Sequence, residues 1–213
     1  MTTASITPTS SVVFVAVHYK GTGTPVDVST ISGVNGTWQQ CGASILSANG
    51  NNRSCLWYGY GCSGSGTLVI TPTATPTTQN GYEVVEFTGV LPGAGAIVTG
   101  NFKSVAGAAT SNNVTVTPNT LAKLSNAFVV AAQHQTAEDD VPSQGTEIHD
   151  DNLASASGLE VNYKVGWQSG GMGATWATTT GSQGRVIGVE VVATDTLITP
   201  VSHLPFIPRG RSL

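Results

Sequence analysis

The chain has 213 residues, of which only 9% are charged, with eight Lys and Arg against twelve Asp and Glu for a net charge of −4. Soluble domains ordinarily carry about a quarter charged residues; the scattered cations form no basic stripe, which argues against nucleic-acid binding through phosphate contacts, and no apolar run reaches the length of a membrane span. Thr, Val, Gly and Ser make up 100 of the residues, a composition of strands and turns, in a chain long enough to bury roughly 70% of its unfolded surface.

Met1 to Ser10 is rich in Thr, Ser and Pro, lacks the positive start of a signal peptide, and is expected to be an extended arm. Strands are predicted near 11–18, 37–46, 54–61, 66–71, 82–89, 96–102, 113–117, 127–134, 157–162, 163–168, 174–179 and 185–193, separated by Gly, Asn, Pro and Ser clusters. Asn35-Gly36, Asn49-Gly50 and Asn80-Gly81 are read as tight reversals. The opening strand, Val12 to Val17, is apolar on both alternating sets, which predicts cover on both faces. In Tyr82 to Gly89, Val85 and Phe87 are expected inward and Glu86 outward. In Arg185 to Val192, Ile187, Val189 and Val191 are expected inward and Glu190 outward. The only helical hint is Thr120 to Asn126, enough for one turn.

Beyond Val192 the pattern breaks. Thr199-Pro200, Leu204-Pro205 and Ile207-Pro208 punctuate 194–213, since each Pro removes a ladder donor and biases its predecessor toward extended geometry. Leu204, Phe206, Ile207 and Leu213 are apolar, and Arg209 and Arg211 are basic. Three readings stand: an arm that lies on another subunit through these six residues, a strap across the protein's own body, or a disordered tail.

The chain also echoes itself. Val12-Val-Phe-Val-Ala-Val-His resembles Ala127-Phe-Val-Val-Ala-Ala-Gln, Tyr58-Gly-Tyr-Gly resembles Val165-Gly-Trp-Gln, and Glu83-Val-Val-Glu-Phe resembles Ile187-Gly-Val-Glu-Val, at offsets of 115, 107 and 104. The fold expected is all-β: a two-sheet antiparallel sandwich, jelly-roll-like, built over 11–193 from two related halves, with an arm at each end (1–10 and 194–213).

Candidate chemistry is sparse. Glu138, Asp139, Asp140, Glu147, Asp150 and Asp151 place six of the twelve acids within 14 residues. This acidic loop is read as solvated, as a hard-cation site through oxygen ligands, or as a contact for a basic partner. Glu86 and Glu190 occupy matching places in the two halves and are the one carboxylate pair to weigh for glycoside hydrolysis; an outer polar face or a structural hydrogen bond is the plainer role. Cys41, Cys55 and Cys62 are an odd set, read as reduced small apolar residues, with a Cys41–Cys55 bridge as the alternative. His18, His134, His149 and His203 are dispersed, and no G-x-S-x-G nucleophile turn is present. Trp57 and Trp167 are candidates for stacking on sugar rings in a carbohydrate-binding module for host attachment. Against that stands core filling, with Trp167 and Trp176 as a packed pair. No catalytic residue and no cofactor are indicated.

The segments SVVFVAV, GTWQQCGA, GYEVVEFTGV and GATWATTTGSQGRVIGVEVVA, in that order, resemble a diffuse family of bacteriophage virion structural proteins of β-sandwich type. The resemblance spans most of 11–193 and leaves the C-terminal segment unmatched. It implies a capsid decoration (cement) or tail-associated protein, made in the host cytoplasm and carried on the virion. The implied partners are a major capsid or tail protein and further copies of itself, with no catalytic residues to carry over.

Overall fold

The computed structural model describes residues 1–20, 26–48, 50–75, 80–108, 111–134, 141–153, 157–177, 184–194 and 198–202; for 149–153, 157 and 202 the backbone alone is described. Among these described residues sixteen strands follow in chain order: β1 (Val12–Lys20), β2 (Val28–Ser32), β3 (Thr37–Gln40), β4 (Ile45–Leu46), β5 (Asn52–Tyr60), β6 (Val69–Pro72), β7 (Asn80–Thr88), β8 (Ile97–Ala106), β9 (Asn113–Val116), β10 (Ala127–His134), β11 (Val141–Pro142), β12 (Thr146–Leu153), β13 (Ser157–Val165), β14 (Met172–Thr175), β15 (Arg185–Val191) and β16 (Thr199–Ser202). All strand pairs are antiparallel. Sheet I runs β16-β7-β1-β5-β3, with β4 also on β5, and sheet II runs β12-β13-β10-β15-β8.

The two large sheets bury one face against each other. Val12, Phe14, Ala16, Leu56, Tyr58, Val85 and Phe87 of sheet I meet Ala127, Val129, Ala131, Leu159, Val161, Ile187, Val189 and Val191 of sheet II in one cluster. Burial of each larger aliphatic or aromatic side chain contributes about 1.5–3 kcal/mol. One end of this core is aromatic: Phe14 lies 5.6 Å from Phe87, centroid to centroid, and Phe87 lies 5.6 Å from Tyr163.

A two-layer sandwich would leave the other faces wet, but here they are covered. The β2-β6 ribbon and the N-terminal segment lie over sheet I, enclosing Val13, Val15, Val17, Cys55 and Trp57 with Ile6, Ile31, Leu68 and Ile70. The small β11-β14-β9 sheet lies over sheet II, enclosing Phe128, Val130, Ala132, Trp167 and Trp176 with Val114, Val116 and Met172. The sandwich is therefore four layers deep. This is why β1 is buried at eight of its nine positions, as its apolar run on both sets requires.

The halves correspond strand for strand. β1 is flanked by β5 and β7, and β10 by β13 and β15. Val12 faces Tyr60 as Ala127 faces Val165, and Val13 faces Glu86 as Phe128 faces Glu190. The register thus matches Tyr60, not Tyr58, to Val165. The N-terminal segment, bridged to β6 at Thr2–Val69 and to Gly66 just ahead of it at Ile6, takes the place that β9 takes on β14.

The last strand of each half crosses to the other. β8 follows β7 in the chain yet pairs with β15, and β16 follows β15 yet pairs with β7. Where the two crossings pass, Val90 bridges Ala193. Leu91 N–H donates to Val192 O and Thr194 N–H donates to Gly89 O, both at 2.8 Å, a reciprocal pair about a local two-fold. The halves are bound as a strand-exchanged dimer would be, on one chain.

Several local expectations shift. The 37–46 run breaks into β3 and β4, and 157–168 is largely one strand. β2, β11, β12 and β16 lie where no strand was expected. Thr120 to Asn126 forms bends, and the only helical turn among the described residues is Ala94–Ala96. Asn80-Gly81 opens β7 rather than making a reversal. At Asn35-Gly36 the turn is real but sits one residue early. Gly36 N–H donates to Gly33 O at 3.1 Å, with Val34 and Asn35 at φ 45 and 53. A β-branched residue rarely adopts that conformation; Val34 is held there by packing into the outer core.

Candidate interaction surfaces

Glu86 and Glu190 do fall at equivalent positions, and both point away from the central core. Neither is exposed, at 0% and 1%, because the outer layers cover them. The expectation of an outer, solvent-facing position therefore fails. Glu86 Oε1 accepts from the Thr9 hydroxyl at 2.8 Å and from Ser10 N–H. Glu190 Oε1 accepts from Ala122 N–H at 2.7 Å and Asn126 Nδ2 at 2.6 Å, while Oε2 accepts from Asn101 Nδ2 at 2.8 Å. Each carboxylate clamps the segment that leads into the central strand of its own half. The roles are structural hydrogen bonds, of the charge-assisted kind that are the stronger ones.

Trp57 is 8% and Trp167 3% exposed, and each sits in an outer core. Neither ring presents a face to solvent, so the sugar-stacking reading has no platform at these positions. Trp176 shares the Trp167 cluster and stacks on His134, with centroids 4.7 Å apart and planes 8° from parallel. Two glycines make room for that stack. A Cβ at Gly158 would lie 2.4 Å from His134 Nε2, and one at Gly184 2.3 Å from Trp176 Cη2.

The acidic run is not one loop. Glu147, Asp150 and Asp151 lie on β12, the edge strand of sheet II, with a bulge between Glu147 and His149. Positions 150 and 151, as neighbours on a strand, belong to opposite faces. Asp139 and Asp140 lie outside the described residues, and among the described residues no cluster of three metal-ligating side chains forms. The sequence missed β12 because its acids dominate the run, leaving Ile148 as the one side chain seen packing on the core among the described residues.

All three cysteines are buried and unbridged. Cys41 belongs to the central core and Cys55 to the outer one, on opposite faces of sheet I, which rules out their bridge in this fold. Burial pushes all three thiols up: Cys41 well above its ordinary value, Cys55 to about 12 and Cys62 to about 11. They stay protonated and unreactive at neutral pH.

The C-terminal expectation divides. Ile198 is 2% exposed in the central core and β16 is a sheet strand, so the body extends to Ser202. Leu204, Phe206, Ile207, Arg209, Arg211 and Leu213 lie outside the described residues.

Edges and outer faces remain as surfaces. Although charge is sparse, the edges are blunted by other means. β12 has its bulge and acids, β8 an irregular register beside Gly188–Glu190, and β3, β4 and β16 are four residues or fewer. The outermost faces differ from the edges. On the ribbon, Ser29, Thr30, Ser32, Val69 and Thr71 are exposed; over sheet II, Thr115, Thr117 and Val141 are exposed. Neither set contains a charge. Among the described residues no helix is long and apolar enough to cross a membrane. Comparison with protein-family models, with curated proteins and with solved structures found no match.

Proposed function

We propose that this protein is a structural component of a particle, and specifically, from the resemblance of its strand segments, a bacteriophage virion protein that decorates or cements a capsid or tail. The observation that carries the reading is the character of the two outermost faces. They are β surfaces of Thr, Ser and Val, without charge, on related sides of a body bound by exchanged strands. Interface centres are depleted in charged residues, and a flat uncharged sheet face suits repeated contact with a lattice. The matched carboxylates, which a two-acid reaction would use, are instead engaged in structural hydrogen bonds to side chains and backbone.

Co-sedimentation with purified particles tests this. The full chain is expected to pellet at a fixed ratio to the major particle protein. Thr30→Lys and Thr115→Lys, one on each outer face, are expected to lower binding at least tenfold with the β circular-dichroism signal unchanged. A chain ending at Ser202 separates the contribution of 203–213. A full chain that stays in the supernatant contradicts the reading.

A further inference from the structure

The end of the central core opposite the aromatic cluster is polar. His18 on β1 is the inward position after Phe14 and Ala16, and it is fully buried. Its counterpart across the local two-fold is Gln133 on β10. The polar groups that act on the His18 ring are the Arg53 backbone and the Gln133 side chain, and neither is in good hydrogen-bond geometry with a ring nitrogen. Ser54, its cross-strand partner on β5, donates to Gln133 Oε1 at 2.6 Å. Arg185, on β15 of the facing sheet and also fully buried, donates through Nε to Ser54 Oγ and to Gln133 Oε1, each at 3.1 Å. A histidine and an arginine thus share one dry pocket of side chains between the sheets.

We propose that this end of the sandwich is an acid-labile joint: a proton on His18 puts a second positive charge beside Arg185 between sheets I and II, and the sheets part there. The groups around His18 favour this. Lys20, on the same strand, adds positive charge. On β7 the directly paired residue is Gly81, and Glu83, two positions along and paired with Ala16, is a buried acid whose charge is not among those that shift His18. On β5, the neighbouring Arg53 pairs with Asp27 at 2.9 Å. On β10 the facing group is neutral Gln133. Glu138, Asp139 and Asp140, beyond β10, lie outside the described residues.

Desolvation first, then Arg185 and Lys20, hold His18 well below its ordinary value, and the Arg53 backbone and Gln133 side chain, which pull the other way, do not offset them. Burial lowers Arg185 to about 9, so it is still charged at neutral pH. The sign follows from linkage. Above about pH 6.5 His18 is neutral folded or unfolded and contributes no pH dependence. Below that, the unfolded chain takes up a proton that the folded chain refuses, and stability falls as pH falls.

The test compares full-length wild type with His18→Gln, the residue the fold already holds at the equivalent place. Equilibrium unfolding is measured from pH 8 to pH 4.5. The wild-type unfolding constant is expected to rise by up to about tenfold more per pH unit below about pH 6.5 than that of H18Q. Parallel curves overturn the proposal. Should H18Q fold poorly, imidazole NMR on the wild type decides alone. The His18 signals are expected to stay at their neutral positions while the protein remains folded. A full titration of His18 in the folded state near pH 6.5 overturns the joint. Hydrogen exchange at acid pH locates it: amides of Val17, His18 and Val186 are expected to lose protection before those of Phe14 and Phe87, and the reverse order contradicts the proposal.

Discussion

Glu86 and Glu190 are two-fold counterparts, each buried and each fastening the segment that enters its half's central strand. Glu190 does this by accepting from three donors, two asparagine side chains and one backbone N–H. Glu190→Gln would turn one acceptor into a donor facing donors. A buried hydrogen bond to a charged group contributes about 1.5–3 kcal/mol, so E190Q is expected to lower stability by about 2–3 kcal/mol in denaturant titration. A change under about 0.5 kcal/mol would show that the clamp is incidental.

The His134–Trp176 stack depends on the missing Cβ at Gly158. Gly158→Ala is expected to cost about 1–3 kcal/mol, the usual range for overpacking, and to shift the tryptophan fluorescence. Gly100→Ala is the control, since a Cβ there meets nothing within 4 Å. It is expected to change little.

The three thiols give a pH signature of the opposite sign to that of His18. Their folded values lie above the ordinary one, so the unfolded chain loses protons first as pH rises. Stability is therefore expected to fall as pH rises above about 9, the ordinary thiol value. At pH 8 a thiol reagent is expected to label native protein only at the rate of global unfolding. Fast labelling of any one cysteine would place that residue outside the core.

The exchanged strands make the covalent link between halves dispensable for association. With a protease site inserted between Gly107 and Asn112 and cleaved, the fragments are expected to co-elute as one species of the intact size and to separate only in denaturant. Separation under native conditions would mean that β8 and β16 hold less than their pairing implies.

Much of this fold was legible in the residues, and the failures have physical causes. The Val12–Val17 run announced a strand covered on both faces, and the Glu83 and Ile187 segments announced related halves. The exchange was not legible, because a strand's pattern says which face is apolar and not which neighbour it joins. Glu86 and Glu190 were placed on the correct side of their strands, but whether that side met water or a structural hydrogen bond stayed open. Alternation reports two faces without saying whether a further layer covers the polar one. β12 escaped notice because its run of acids reads as a loop, and β16 because Pro200 reads as a strand breaker although it is tolerated on an edge. His18 and Arg185 gave no sequence signal, since they meet only when the two sheets do.

The most direct measurement of the central claim is cryo-electron microscopy of purified particles from a lysate containing this chain. The account predicts density for the four-layer body on the particle exterior, at a copy number set by lattice symmetry, with an uncharged outer face at the contact. Particles fully occupied by other proteins, with this chain only in the soluble fraction, would contradict it.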